Sequence, residues 1–255
     1  MNITVQLAKM KRLLKKKAGE ILFGKQPNRS REYMLSAGPF DLVVHVGAHT
    51  GQEVELYRTL GAQRVIWIEA DPDTYARLVK NLSEAERQAT RPIRHKTVCA
   101  LVSDANDLTK TFHRFNNEGA SSSVYPPTKR LLNEWPGLGL VGNIVELRTR
   151  TLENILEAAQ IDPRPSKSLL IVDVQGHEAA VLAGIGRYAC TFEICECEVS
   201  QEAIYEGGAL YPDIKAIFER LGYQMVSHSE ENLPWHGDII FERRPSLGAG
   251  SSEMS

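Results

Sequence analysis

No stretch of the 255 residues approaches the roughly 18 uninterrupted apolar residues of a membrane-spanning helix, so no transmembrane segment is expected. Charge of one sign is also missing. Lys and Arg total 30 against 32 Asp and Glu, a net charge of -2, which removes any global case for nucleic-acid binding and leaves only local basic patches. Cysteine is scarce, and Cys99, Cys190, Cys195 and Cys197 form neither a disulfide framework nor a C-x-x-C zinc pair. They read as reduced, small buried side chains of a cytoplasmic protein. The chain has no internal repeat, and its first glycine turn lacks the G-x-G-x-x-G that lets a dinucleotide's pyrophosphate approach the backbone.

What is present is a hydrophobic content of 42%, enough to bury the core of one large domain. Residues 1–40 read as an arm and connector. In the arm, Lys9, Lys11, Arg12, Lys15, Lys16 and Lys17 surround Leu7, Met10, Leu13 and Leu14, a basic amphipathic pattern without the apolar core of a signal peptide. Residues 1–25 could therefore touch an anionic inner membrane face or a partner. The run QPNRSREYMLSAGP reads as a polar connector, 41–244 as the domain, and 245–255 as a disordered tail.

Within the domain, short β-branched runs alternate with amphipathic helical patterns. LVVHV, RVIWIEA, HKTVCALVS, SLLIVDV and TFEICECEV read as strands; QEVELYRTL, PDTYARLVKNLSEAERQ, TLENILEAAQ, HEAAVLAGI and PDIKAIFERLG read as helices. An antiparallel excursion, 104–150, interrupts the rhythm and should form part of a substrate wall, and YQMVSH with GDIIFER reads as a closing hairpin. The expected fold is α/β, a doubly wound and mostly parallel sheet with a C-terminal antiparallel hairpin.

Ligands of such sheets bind beyond the carboxyl ends of the strands, at the tips after Val46, Ile68, Val102, Val174 and Val199. The stretch DLVVHVGAHTGQE makes a strand, a turn at Gly47 and Gly51, and a helix. Glu69 follows about 20 residues later, the spacing at which an acid accepts both hydroxyls of an adenosine ribose. S-adenosylmethionine carries no phosphate, so the looser turn suffices for it.

The segments VHVGAHTGQE, WIEADPDTYARLVKNL, ALVSD, NNEGASSS, LLIVDVQGHEAAVLAGI and EVSQEAIYEGGALYPDIKAIFERLGY, in this order, resemble the FkbM family of S-adenosylmethionine-dependent methyltransferases. The resemblance runs from about Asp41 to Arg243 and implies a class I methyltransferase, Rossmann-like fold. It implies a cofactor site of His45, Gly47, Ala48, His49, Gly51, Glu69, Ala70, Ser103, Asp104 and Asp173, with Asp104 on the adenine amino group. The family typically has D-V-G-A-N where this chain has His45-Val46-Gly47-Ala48-His49, and its acid receives the ammonium of the methionine moiety. His45 can accept that hydrogen bond only when neutral, so cofactor binding is expected to weaken as pH falls toward about 6.

For chemistry, Asp173 ends an apolar strand where an acid normally has a partner or a task. His177 is the general-base candidate, with Glu178 beside it; the family more often has Glu and Ala at Gln175 and His177, so these assignments rest on chemistry alone. A rival mechanism places a divalent cation on Asp173 and Glu198, with Glu196 on the same strand face and His236 and Asp238 nearby. The acceptor surface is expected from Asn117, Ser122, Ser123, Glu198 and Tyr205, whose hydroxyl and amide groups suit a sugar, glycan or other hydroxylated small molecule. No N-P-P-Y-like loop follows Val174, which counts against a nucleic-acid substrate. A nicotinamide-dependent oxidoreductase and a noncatalytic adenosyl-binding or scaffold protein are the alternative readings.

Overall fold

The computed structural model describes residues 29–87, 89–142, 144–226 and 236–244; the basic stretch 1–25 and the tail 245–255 lie outside the described residues. Strand β1 (Leu42–Val46) is buried at every position, as its β-branched composition requires of a strand covered on both faces. It pairs in parallel with β2 (Arg64–Glu69) on one side and β7 (Ser168–Val172) on the other, so that His45 sits between Trp67 and Ile171. Beyond β2 lies β3 (Arg94–Cys99); beyond β7 lie β8 (Ile194–Ser200), β10 (His236–Arg243) and β9 (Tyr223–Met225). All pairs are parallel except those of β10, which runs antiparallel to β8 and β9 and closes the sheet as the expected hairpin.

Side-chain alternation along β1 divides the core. Leu42, Val44 and Val46 face α5 (Leu152–Ala158), α6 (Glu178–Ala183) and α7 (Tyr211–Arg220), through Leu152, Ile155, Val181, Ile214 and Phe218. Val43 points the other way, toward α1 (Arg29–Ala37), α2 (Val54–Thr59) and α3 (Pro72–Arg87), through Met34, Tyr57, Leu78 and Leu82. Pro72 opens α3 and the buried Leu78 and Leu82 lie four residues apart on its inner face, each worth roughly 1.5–3 kcal/mol on burial. Helices thus cover both faces, and the doubly wound reading holds.

Two stretches differ from the sequence reading. The connector is in part the helix α1, because Met34 and, beyond it, Phe40 supply apolar anchors to the α2–α3 face. HKTVCALVS is broken at Ala100: β3 is an edge strand of alternating exposure, whereas β4 (Leu101–Val102) leaves the main sheet and pairs with β6 (Val145–Arg150). The excursion 104–150 supplies β5 (Thr109–Phe112), antiparallel to β6, and α4 (Lys129–Glu134). Phe115, Leu131, Ile204 and Tyr205 form a small apolar cluster that fixes this excursion to the loop after β8. No helix among the described residues is long and apolar enough to cross a membrane.

Candidate functional site

The order of strands reverses between β1 and β7, and a cavity of about 270 Å³ opens there above the strand ends. Its floor is the turn after β1. Gly47 has φ of 87°, and a Cβ placed on it would lie 1.7 Å from the carbonyl oxygen of Asp173, so no other residue brings the β1 and β7 tips this close. Gly51 serves packing, since its Cβ would press on Leu78. Ala48 is fully buried beneath the turn.

Glu69 ends β2, is 8% exposed, and lines the cavity together with Ala70. Its Oε2 accepts the backbone N–H of His49 at 2.8 Å and its Oε1 that of Asp71 at 2.9 Å. Burial raises its carboxyl to about 7 against the pull of these two amides. Each oxygen keeps lone-pair capacity toward the cavity, which suits a vicinal diol.

His45 lies in the cavity wall with Nδ1 2.8 Å from the Tyr57 hydroxyl. Burial lowers its pKa to about 3, so it is neutral as expected, but it does not titrate near pH 6 and cannot cause the acid weakening of binding expected from it. His49 does more than line the site. With φ of 45°, its ring receives the Gln52 amide on Nδ1 at 2.8 Å and holds the Glu118 carbonyl through Nε2 at 3.0 Å, latching the 116–123 loop over the turn.

On the β7 side, Asp173, Val174, Gln175 and His177 face the same cavity. The Gln175 amide nitrogen donates to Asp173 at 2.6 Å and to Glu198 at 2.7 Å, while its carbonyl accepts the Tyr205 hydroxyl at 2.8 Å. A cation on Asp173 and Glu198 would have to displace that amide. Among the described residues no three His, Cys, Asp or Glu side chains are disposed to hold a metal ion. Burial, then Asp173, raises the Glu198 carboxyl, and Glu198 lines a smaller cavity of about 120 Å³ behind the main one, with Glu53, Glu196 and Asp238. The His236 side chain lies outside the described residues.

His177 is 2% exposed and precedes α6. The single proton of the Ser103 hydroxyl goes to Asp104 at 2.8 Å, so toward His177 that oxygen accepts, and Nε2–H donates to it at 3.0 Å. Nδ1 is left as the free acceptor, 3.3 Å from the Tyr125 hydroxyl. Burial lowers the imidazole to about 4, whereas the Ser103 hydrogen bond holds Asp104 below its usual value. The arrangement is an oriented base with a carboxylate at its far end.

Several expected site residues take structural positions instead. Ser103 is fully buried and Asp104 is outside the cavity wall, because the chain turns away after β4 toward β6. Glu178 is buried, and its Oε1 accepts the N–H groups of Val174 and Gly176, so it clamps the loop and does not face a ligand. Asn117 bonds Ser121, Ser123 donates to the Gln175 backbone carbonyl, and Tyr205 bonds Ser121 and the Gln175 side chain; of Asn117, Ser122, Ser123, Glu198 and Tyr205, Ser122 lines the cavity. Cys195 and Cys197 are buried as expected, but Cys99 is exposed on the edge strand.

The sequence reading assigns no site role to Gln52, Glu53 or Phe112, which line the cavity; the 116–125 loop is expected at the acceptor surface, and Gly119, Ala120 and Val124 of that loop line the cavity too. The alternation of TKTFHRF could have singled out Phe112, and the four-residue spacing of Glu53 and Tyr57 places both on the α2 face beneath His45.

Residues 45–225 match the family model described as Methyltransferase FkbM domain. The 2-O-methyltransferase NoeI of Sinorhizobium fredii (strain NBRC 101917 / NGR234) is 24% identical over 210 residues, 79% of this chain and 79% of that protein. Among solved structures, methyltransferase FkbM from Methylobacillus flagellatus KT is similar with a TM-score of 0.45 and 14% identity, over 79% of this chain and 43% of that one. This chain therefore spans under half of that protein. Magnesium protoporphyrin IX methyltransferase (ChlM) from Synechocystis PCC 6803, with bound SAM, gives a TM-score of 0.44 and 11% identity over 84% of this chain and 76% of that one.

Proposed function

The chain belongs to the FkbM methyltransferase family, and on that premise we propose that it moves a methyl group from S-adenosylmethionine to a hydroxyl oxygen of a sugar, glycan or other hydroxylated small molecule. The observation that supports this most is Glu69, a buried carboxylate in the cavity wall at the switch point, tied to both flanking turns. The residues present fit the cofactor. Gly47 leaves room where any side chain would block, Glu69 offers acceptors for a ribose diol, and Ile68, Ala100, Leu101 and Phe112 give an apolar wall suited to a purine ring.

When bound, S-adenosylmethionine supplies an electrophilic methyl on a sulfonium, open to in-line displacement. With a hydroxyl acceptor, Nδ1 of His177 would take the hydroxyl proton as the methyl group is transferred. Nε2–H on Ser103, backed by Asp104, then holds the imidazolium in orientation. Asp173, whose Oδ1 accepts the Gln175 amide, lines the same wall, where a carboxylate would attract the sulfonium. The name of the Sinorhizobium relative, a 2-O-methyltransferase, favours oxygen over nitrogen as the acceptor. Residues 1–25 would add contact with an anionic membrane surface, tested by sedimentation with anionic vesicles of the chain with and without them.

The direct test is methyl transfer from labelled S-adenosylmethionine to a panel of oligosaccharides and polyols. Label in an acceptor, with stoichiometric S-adenosylhomocysteine, is the expected result. Cofactor binding with no transfer to any acceptor would favour the noncatalytic reading.

A further inference from the structure

The α-ammonium of a bound S-adenosylmethionine needs an anion, and the family's usual acid at the end of β1 is His45 in this chain. With a pKa near 3 and Nδ1 engaged by Tyr57, His45 offers no charge. Once a ribose is held at the β2 tip by Glu69, the methionine end lies toward the β1 and β7 tips, where His45, Gly47, Gln52, Glu53 and Asp173 form the wall. Two of these are acids. Asp173 already receives the Gln175 amide on Oδ1 at 2.6 Å.

We propose that Glu53 has taken over the role of the missing acid and binds the ammonium of the methionine moiety. The inference rests on the S-adenosylmethionine reading above and adds to it a residue outside the β1 tip. Glu53 occupies the N-cap position of α2 without a side-chain cap hydrogen bond to the following turn, and its carboxylate is steadied by its own backbone N–H. It forms the wall shared by the main cavity and the smaller one, alongside His45 and Asp173. Four residues on, Tyr57 holds His45 in place, so one face of α2 both fixes the neutral imidazole and presents the replacement charge.

The charged groups around Glu53 come from four elements: Asp173 beyond β7, Glu196 on β8, Asp238 on β10 and Arg31 on α1. Burial, and with it the Asp173 charge, raises the Glu53 carboxyl. An arriving ammonium offsets both effects, so the site discriminates for a cationic ligand end.

The test compares two ligands on the full chain by calorimetric titration: S-adenosylhomocysteine, which carries the ammonium, and 5′-methylthioadenosine, which has the same nucleoside without the amino acid. Glu53→Gln should weaken S-adenosylhomocysteine by about 10- to 100-fold, as expected for one lost charged hydrogen bond, and leave 5′-methylthioadenosine unchanged. Unchanged binding of both ligands would overturn the proposal, and so would equal weakening of both, which would make Glu53 a shaper of the cavity. Asp173→Asn is the second variant; selective loss of S-adenosylhomocysteine there, with Glu53→Gln like the parent, would move the role to Asp173. If the parent chain binds neither ligand, the cofactor reading itself falls, an outcome separate from all of these.

Discussion

The backbone N–H of His49 lies 2.8 Å from the Glu69 carboxylate, so the turn after β1 and the tip of β2 share one anchor. That carboxyl is raised to about 7 by burial, and a ribose diol donates better to its ionised form. Affinity for S-adenosylhomocysteine should therefore rise as pH climbs through about 7 and fall below it. Glu69→Gln should flatten this profile. A profile that breaks only near pH 4 would assign the dependence to another group.

His45 and Tyr57 form a buried pair beneath the site. Tyr57→Phe leaves Nδ1 of His45 without its partner and should destabilise the fold by about 1–3 kcal/mol. Thermal denaturation of the variant checks this. An unchanged melting temperature would mean that water replaces the hydroxyl at no cost.

Glu178 should make stability depend on pH. Burial raises its folded-state value to about 7, above the 4.5 of an unconstrained glutamate, so the folded state holds that proton more tightly than the unfolded one. The contribution is fully present below pH 4.5 and is lost as pH rises through about 7, a loss of roughly 3 kcal/mol. Glu178→Gln keeps both hydrogen bonds, since Val174 and Gly176 donate to the same oxygen. The variant should match the parent at about pH 4 and exceed it in stability at about pH 8 by urea denaturation.

His177→Gln should lower kcat by about 10²- to 10⁴-fold, the usual contribution of a positioned general base, with little change in S-adenosylhomocysteine binding. Tyr125→Phe should retain most of the rate, because an acceptor hydroxyl takes the place of the tyrosine at Nδ1. In the parent, with S-adenosylmethionine saturating so that Glu69 no longer limits binding, the acid limb of kcat should lie near pH 4, where burial places the imidazole. A limb near 6.5 would describe a solvated histidine and not this one.

Much of this architecture was legible in the chain. LVVHV and SLLIV are buried at every position because both of their faces are covered, and their near-continuous apolar runs signal a parallel interior sheet. Glu69 and Gly47 were legible because spacing from a glycine turn fixes them in space. Asp104 and Glu178 were misplaced for a physical reason: a polar residue beside a strand tip can turn to ligand or to loop amides, and only the path of the chain decides. Here the break at Ala100 carries Asp104 away from the cavity, and the φ of 57° at Gln175 folds the loop so that its N–H groups close on Glu178. Glu53 was hidden because the other carboxylates of its cavity come from the β7 tip, β8 and β10, distant in sequence.

The most direct measurement is a crystal structure of the chain with S-adenosylhomocysteine. Both ribose hydroxyls should lie within about 3.2 Å of the Glu69 carboxylate, with the amino acid end passing over Gly47. A nucleoside bound away from the β1–β7 junction, or Glu69 rotated off the sugar, would contradict this.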